Sequence, residues 1–285
     1  MASVVEQAEE DTEDKIGLEA ALLLLLLRLN KKILRQFTQT FGNTGAVIDV
    51  TQLFGQELRD ILLTHSHSVS EVFSNRIGPT LPTEVAKTPE EQALILQALA
   101  LFIVTRSEEQ AAIILGTMQD ELDRAATQSG IDALAEATQG NVLSQQEIAV
   151  IAAALVARAT NGRAETIACT ETQAVAEAAK ATEANVLAGQ PPPTVIPVTQ
   201  ESAITKQWVT KRDTRVRRSP FNHVAADRQK VDMNDVFVVS GEQLRWPGDR
   251  SLGASSGNVI RCRCSCIVNR EDLLANRLTR QQQTF

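Results

Sequence analysis

Apolar residues recur at helical spacing over the first two thirds of the chain. The segment 49–73 places leucine, isoleucine and valine three or four positions apart, after a capping aspartate or threonine. Thr88, Pro89 and Glu91 form a helix-start signal, because proline suits the first helical turn and acidic residues suit its positive end. The pattern predicts six helices, over 14–40, 49–73, 88–106, 107–130, 144–161 and 164–189.

The hydrophobic pattern changes after Gly189. Four prolines within 189–200 exclude a helix there and indicate a boundary. Short β-branched and aromatic runs follow, in ITKQWVT, VFVVSGEQLRWPGD and NVIRCRCSCIV, and an amphipathic segment, EDLLANRLTRQQQ, comes last. These patterns predict an α+β protein, a mainly helical N-terminal body followed by a small β-rich C-terminal domain. The predicted division is a helical body over 1–188, a proline-rich linker over 189–203 and a basic α+β domain with a C-terminal helix over 204–285.

Charge is distributed unevenly between these regions. The 285 residues carry a net charge of -7, yet residues 204–285 hold 15 lysines and arginines against 8 acidic residues. An acidic front and a basic tail indicate two modules with different neighbours. The leucine run that begins at Leu18 is interrupted by Arg28, well short of the roughly 20 apolar residues that a membrane span needs. Acidic residues precede this run, unlike a signal peptide, so we expect a soluble, cytosolic protein in which this helix is buried or packs on a partner.

Three of the four cysteines, Cys262, Cys264 and Cys266, occupy alternate positions. On a strand they would share one face, with neighbouring Cα atoms about 6.6–7 Å apart, too far for a comfortable disulfide. A straight strand cannot give three ligands to one zinc ion, so a metal site would need a bend and His223, with Cys169 as a further candidate ligand. We expect buried thiols that act as small hydrophobic residues. A metal site and a reactive nucleophile stay open as alternatives.

Two further groups of residues in the basic region carry candidate roles. Asp213, Arg215 and Arg217 alternate along an extended segment, which predicts either an internal ion-pair network or a docking surface for an acidic partner or a DNA backbone. The two tryptophans, Trp208 and Trp246, are expected in the core. The following turn, WPGD, needs the positive φ that Gly248 permits.

Histidines offer little evidence of catalysis. His65 and His67 are two positions apart on a predicted helix, point to different sides, and are expected at the surface. His223 and Asp227 could form a base–orienter pair, and His223 with a cysteine could form a thiol dyad. The sequence has neither a glycine-rich phosphate loop nor a G-x-S-x-G motif, so we expect no catalysis.

The stretch from Ile167 to Val268 resembles the phage head morphogenesis domain, the Mu F-like family of minor capsid proteins. Five ordered pieces carry the resemblance: IACTET from Ile167, WVTKRDTRVR from Trp208, HVAADRQKV from His223, FVVSGEQLRWPGD from Phe237, and CRC from Cys262. No single piece is specific, but their order over about a hundred residues is. Two departures, the extra residues RSPFN before His223 and Arg228 in place of a usual glycine, fall in the loop that carries His223.

The resemblance implies a minor capsid or head morphogenesis protein of a tailed phage or prophage. Such a protein associates with the portal vertex, acts in head assembly and in DNA packaging or ejection, and is found in the host cytoplasm and then in the virion. Its expected partners are portal, capsid or scaffold proteins, with packaged double-stranded DNA against the basic domain, and we expect an oligomer. Expected framework and docking residues are Trp208, Asp213, Arg215, Arg217, His223, Asp227, Gly248 and Asp249.

Two other interpretations stay open. A zinc-stabilised nucleic-acid-binding module would use His223, Cys262, Cys264 and Cys266 as metal ligands. A toxin-like nuclease or transferase would instead depend on His223 for activity.

Overall fold

The computed structural model describes residues 4–192, 204–211, 213, 216 and 218–283. Four long helices come first: α1 (Val4–Thr44), α2 (Val50–Phe73), α3 (Pro89–Thr138) and α4 (Gln145–Leu187). Five short strands and two short helices follow: β1 (Thr205–Thr210), β2 (Lys230–Asp232), β3 (Phe237–Val239), β4 (Glu242–Leu244), α5 (Ser256–Val259), β5 (Cys264–Val268) and α6 (Arg270–Gln282). The chain is therefore an α+β protein, with its helical part first and its small sheets last, as predicted.

Two pairs of predicted helices are each one helix in the structure. The predicted break at Ser107 does not occur, because this residue is buried inside the continuous α3. The predicted break after Asn161 is also absent, and α4 runs through Gly162. A single serine, asparagine or glycine costs a helix only about 0.5–1 kcal/mol, which its alanine- and leucine-rich flanks outweigh.

The predicted start of α3 is confirmed as a reciprocal cap. The backbone N–H of Thr88 donates to Glu91 Oε2 at 2.9 Å, and the backbone N–H of Glu91 donates to Thr88 Oγ1 at 3.2 Å. These two bonds satisfy backbone donors that the first turn of a helix leaves without partners.

The chain forms two compact units whose ranges do not follow the predicted boundary at residue 188. The helical unit contains residues 20–64 and 105–168. The sheet unit contains residues 1–19, 65–104 and 169–285. The second half of α4 belongs to the sheet unit because it is buried against the strands from Cys169 onwards, so α4 does not end a separate helical body. Of the predicted linker, residues 193–203 lie outside the described residues.

One face of the leucine run of α1 is buried in the helical unit, whereas Leu24 is 57% exposed. Leu22, Leu26, Leu29 and Ile33 occupy the core of that unit with residues of α2, α3 and α4. Their spacing of three or four positions puts them on one face of α1. Among the described residues, none of the helices combines the length and the apolar character that a bilayer crossing requires.

The sheet unit contains a three-stranded antiparallel sheet in the order β2-β1-β5 and a β3–β4 hairpin. In the larger sheet, Trp208 of β1 lies opposite Cys266 of β5. The hairpin turns at Ser240 and Gly241, with φ of 51° and 83°, the left-handed geometry that suits a two-residue turn. Trp208 and Trp246 are both in the core, as predicted.

Side chains of α4 bind the outer edge of β5. Gln173 Nε2 donates to the carbonyl oxygen of Cys264 at 2.7 Å. Glu177 Oε2 accepts the backbone N–H of Cys266 at 2.8 Å, and Lys180 Nζ donates to the carbonyl oxygen of Cys266 at 3.2 Å. Spacings of four and three residues put these side chains on one face of α4. They take the place of a further strand, because buried backbone groups need hydrogen-bond partners.

The first helix completes this polar contact. Lys15 Nζ lies 2.5 Å from Glu177 Oε1, and Asp11 pairs with Lys180, all four side chains being buried. Burial alone would raise the pKa of Asp11, but Lys180 and Lys15 hold that pKa below its ordinary value. Charges buried in this way persist because each one has a partner.

Arg277 joins α6 to the rest of the sheet unit. Its guanidinium donates to the carbonyl oxygens of Val85, Ala86 and Leu187 at 2.8, 2.9 and 3.0 Å. It also forms a bidentate pair with Glu91, at 2.7 and 3.1 Å. A planar guanidinium has the donors in the fork geometry that such a set of acceptors requires.

We expect Arg277→Met to destabilise the protein by about 3–5 kcal/mol, because it removes the buried guanidinium that pairs with Glu91 and donates to three carbonyl oxygens. Arg218→Met, at an exposed position of the same region, should change the free energy of unfolding by less than about 0.5 kcal/mol. Chemical denaturation of both variants measures the difference. Equal effects of the two substitutions would contradict this role of Arg277.

His65 is buried, contrary to the prediction that it lies at the surface, whereas His67 is exposed as predicted. His65 faces inwards because Nε2 lies 2.8 Å from Thr172 Oγ1. Burial lowers the pKa of His65 from about 6.5 to about 4. The folded protein therefore holds this ring neutral over a pH range in which the unfolded chain protonates it.

We expect stability to depend on His65 between pH 6.5 and pH 4. The neutral ring contributes fully to the stability of the fold above pH 6.5. This contribution is lost as the pH falls towards 4, and the loss is on the order of 2–3 kcal/mol. His65→Gln keeps a hydrogen-bonding group for Thr172 and should remove this part of the acid sensitivity, while His67→Gln should not. Urea denaturation of the wild type and of both variants at several pH values measures this pH dependence of stability. Parallel pH curves for the wild type and His65→Gln would refute the assignment.

Candidate metal centre

His223, Cys262 and Cys264 meet in the interior of the sheet unit. His223 Nδ1 lies 3.6 Å from the Sγ atom of Cys262 and 3.5 Å from the Sγ atom of Cys264. The three atoms that could bind a metal lie within 4.8 Å of one another. The three residues are only 2%, 3% and 1% exposed. One nitrogen and two sulfur ligands thus face a common point away from solvent, and this group could hold a metal ion.

A bend before β5 brings the two sulfur atoms together. The prediction of one strand through all three alternating cysteines is wrong, because β5 begins only at Cys264. Arg261, with a positive φ of 50°, turns the chain just before Cys262. Its backbone N–H donates to Thr170 Oγ1 at 3.1 Å, which fixes the turn against α4. A non-glycine residue in this conformation is uncommon, and here the surrounding hydrogen bonds hold it.

Cys266 does not belong to this group, although the sequence suggested it as a ligand. It lies further along β5, opposite Trp208, and its ligand atom is outside the cluster. Burial raises the pKa of the Cys266 thiol to about 12. This residue fits the other expectation from the sequence, a buried thiol that packs as a small hydrophobic side chain.

Cys169 is also outside the group of three. It is half-buried on α4, one residue before Thr170. Burial, followed by the nearby Glu19 carboxylate, raises the pKa of this thiol to about 12. All four cysteines are free thiols, with no disulfide between them.

The pKa values of the two clustered thiols are shifted in opposite directions. The Cys264 thiol donates to Cys262, and this hydrogen bond holds the pKa of Cys262 well below its ordinary value. The pKa of Cys264 is raised, first by burial and then by the thiolate of Cys262. Two adjacent thiols cannot both ionise in a buried site unless a cation compensates the second charge.

The other side of the His223 ring faces an amide. His223 Nε2 lies 3.2 Å from Asn258 Oδ1. Asn258 Nδ2 donates to Glu242 Oε2 at 2.6 Å and to the carbonyl oxygen of Val239 at 3.2 Å. The Asn258 and Ser255 donors hold the pKa of the Glu242 carboxyl below its ordinary value. Sequence reasoning missed Asn258 and Glu242, because nothing in their local sequence marks them as partners of a histidine.

Trp208 packs against the same ring. Its indole lies edge-on to the rings of His223 and Phe237, with centroids 5.8 and 5.3 Å apart. The buried Nε1 of Trp208 has no hydrogen bond of normal geometry. It is nevertheless near enough to Cys264 to lower the pKa of that thiol, and a thiolate there would be a better acceptor for the indole N–H than a thiol.

The other acidic residues predicted for this region stabilise the backbone or form ion pairs. Asp227 Oδ1 accepts the backbone N–H of Thr210 at 2.9 Å, so the predicted pairing of Asp227 with His223 is wrong, since both ring nitrogens of His223 face other residues. Asp213 pairs with Arg263 at 2.7 Å. The predicted partners Arg215 and Arg217 lie outside the described residues.

The predicted WPGD turn is confirmed. Gly248 has a φ of 86°, and a Cβ atom there would lie 3.3 Å from Gln173 Cγ of α4. Asp249 accepts the backbone N–H groups of Arg245 and Ser251 at 3.0 and 2.8 Å. Gly248 and Asp249 thus fix the loop after the hairpin against α4.

Comparisons of the chain with protein-family models, with curated proteins and with solved structures found no match.

Proposed function

We propose that this chain is a minor capsid or head morphogenesis protein of a tailed phage or prophage. It associates with the portal vertex, acts in head assembly, and takes part in DNA packaging or ejection. Its partners are portal, capsid or scaffold proteins, in the host cytoplasm during assembly and then in the virion. The proposal rests on the resemblance of residues 167–268 to the phage head morphogenesis domain. Two observations in the structure support it.

The first observation is that residues from separate matching segments of the sequence meet in the folded protein. Trp208, His223 and the cysteine pair Cys262 and Cys264 come from three pieces that are far apart in the sequence, yet they form one buried cluster. Gly248, from a fourth piece, packs on Gln173 of α4. Motifs that meet in one core are expected if together they specify a single domain.

Burial also supports a framework role for this cluster rather than a catalytic one. A nucleophile or a general base must reach its substrate. His223, Cys262 and Cys264 are each no more than 3% exposed. We therefore propose that the domain works by docking, with its interior residues holding the docking surface in shape.

We further propose that His223, Cys262 and Cys264 bind a zinc ion that stabilises the sheet unit. In a tetrahedral site with Zn–N of about 2.0–2.1 Å and Zn–S of about 2.3 Å, nitrogen and sulfur ligands lie about 3.5–3.6 Å apart. The Nδ1–Sγ distances of 3.5 and 3.6 Å match this separation. Zinc would also provide the positive charge that two neighbouring thiolates require.

A second function deserves testing because the exposed residues of the C-terminal region are rich in positive charge. Exposed basic side chains include Lys211, Arg218, Arg228, Lys230, Arg250 and Arg261. This observation favours a zinc-stabilised nucleic-acid-binding module. Such a module would be retained on immobilised double-stranded DNA at low salt and released steeply as salt rises. Retention that does not depend on salt would exclude it.

We expect the full-length chain to copurify with proheads and with the portal protein when it is expressed with the head genes of its own phage. Affinity isolation of the tagged chain, followed by mass spectrometry of proheads and virions, measures this. Incorporation at low copy number supports the proposal. Absence from both particles, together with no binding to the portal protein, would overturn it.

We expect about one zinc ion per chain by elemental analysis of the purified protein. Cys262→Ser, Cys264→Ser and His223→Gln should each weaken zinc binding by more than 100-fold, whereas Cys266→Ser should leave it unchanged, because Cys266 lies outside the group. X-ray absorption of the bound zinc counts the sulfur ligands, two for the group alone and three if Cys169 supplies the fourth ligand. A folded wild-type protein that neither contains nor binds zinc would contradict the proposal.

A further inference from the structure

The Asn258 amide can adopt only one orientation that satisfies its neighbours. It is fully buried, and Nδ2 donates both of its hydrogens, to Glu242 Oε2 at 2.6 Å and to the carbonyl oxygen of Val239 at 3.2 Å. A flipped amide would direct its oxygen at these two acceptors, with no hydrogen between the facing oxygen atoms. The oxygen of Asn258 therefore faces His223.

This orientation determines the tautomer of His223. Asn258 Oδ1 can only accept, so the ring nitrogen 3.2 Å away, Nε2, carries the hydrogen. In a neutral ring Nδ1 then has the lone pair, and it is Nδ1 that faces Cys262 and Cys264. The contact of Asn258 with Nε2 therefore determines that Nδ1 is the nitrogen available to bind a metal.

Glu242 holds the amide in this orientation. Its Oε2 atom accepts from Asn258 and also from the backbone N–H and the hydroxyl of Ser255, at 2.9 and 3.0 Å. These bonds join β4 to the segment that contains α5. Without the carboxylate, one of the two acceptors that fix the amide is lost.

We propose that Glu242 and Asn258 are positioning residues of the metal centre, which hold His223 as the Nε2–H tautomer and so prepare Nδ1 to bind the metal. This inference rests on the proposed zinc site and adds residues that touch no metal. Histidine ligands of metals usually donate their second N–H to such a partner, and loss of that partner typically lowers metal affinity about 10–100-fold.

The experiment measures zinc affinity by competition with a chromophoric chelator in the full-length protein. We expect Glu242→Ala and Asn258→Ala to weaken zinc binding about 10–100-fold. Glu242→Gln keeps an acceptor for the Asn258 amide and should weaken zinc binding by less than about 10-fold. Gln243→Ala, at the exposed neighbouring position of the same hairpin, is the matched control and should change nothing. Zinc affinities of the two alanine variants within twofold of the wild type would overturn the inference.

A second measurement does not depend on metal. The ¹⁵N chemical shifts of the His223 ring in the zinc-free protein should show a hydrogen on Nε2 in the wild type and in Glu242→Gln, and a mixture of tautomers in Glu242→Ala. A hydrogen on Nδ1 in the wild type would refute the positioning role, even if zinc binds. Failure of the wild type to bind zinc, with the Nε2–H tautomer present, would refute the metal proposal alone.

Discussion

The backbone edge of β5 requires hydrogen-bond partners, and the organisation of the sheet unit depends on how they are supplied. β5 is the outer strand of its sheet and is buried along its whole length, so water cannot satisfy that edge. Gln173, Glu177 and Lys180 of α4 bind the edge directly. This contact fixes β5, and with it Cys264, relative to α4. It also explains why the second half of α4 belongs to the same compact unit as the C-terminal strands.

Helical periodicity in the sequence predicted the existence of the helices better than their ends. The bounds of α2 and α6 follow from their apolar spacing, and the cap at Thr88 follows from local chemistry that a sequence displays. The continuity of α3 and α4 could not be predicted locally, because Ser107 and Gly162 are weak helix formers whose cost is offset by packing. Tertiary burial likewise overrides the polar character of His65.

The sequence indicated which types of residue form the candidate site, but it did not indicate which of those residues come together. His223 and the alternating cysteines attract attention because their side chains bind metals. The position of Cys262 beside Cys264 follows the turn at Arg261. The His223 ring contacts Asn258, which meets Glu242 only after the hairpin and α5 fold together. Long-range contacts between common polar residues leave no periodic signal in a sequence.

A metal ion at this position would stabilise the sheet unit, whose strands are short. β2, β3 and β4 are three residues long, and β1 and β5 are only six and five. Such short strands hold together poorly by pairing alone. His223 lies in the segment between β1 and β2, its ring is tied through Asn258 to the β3–β4 hairpin, and the two cysteines lie at the start of β5. One ion bound by these three residues would therefore link the segment between β1 and β2 to the start of β5, and the hairpin would be joined to it through Asn258. A buried link of this kind would stabilise the sheet unit without using its surface.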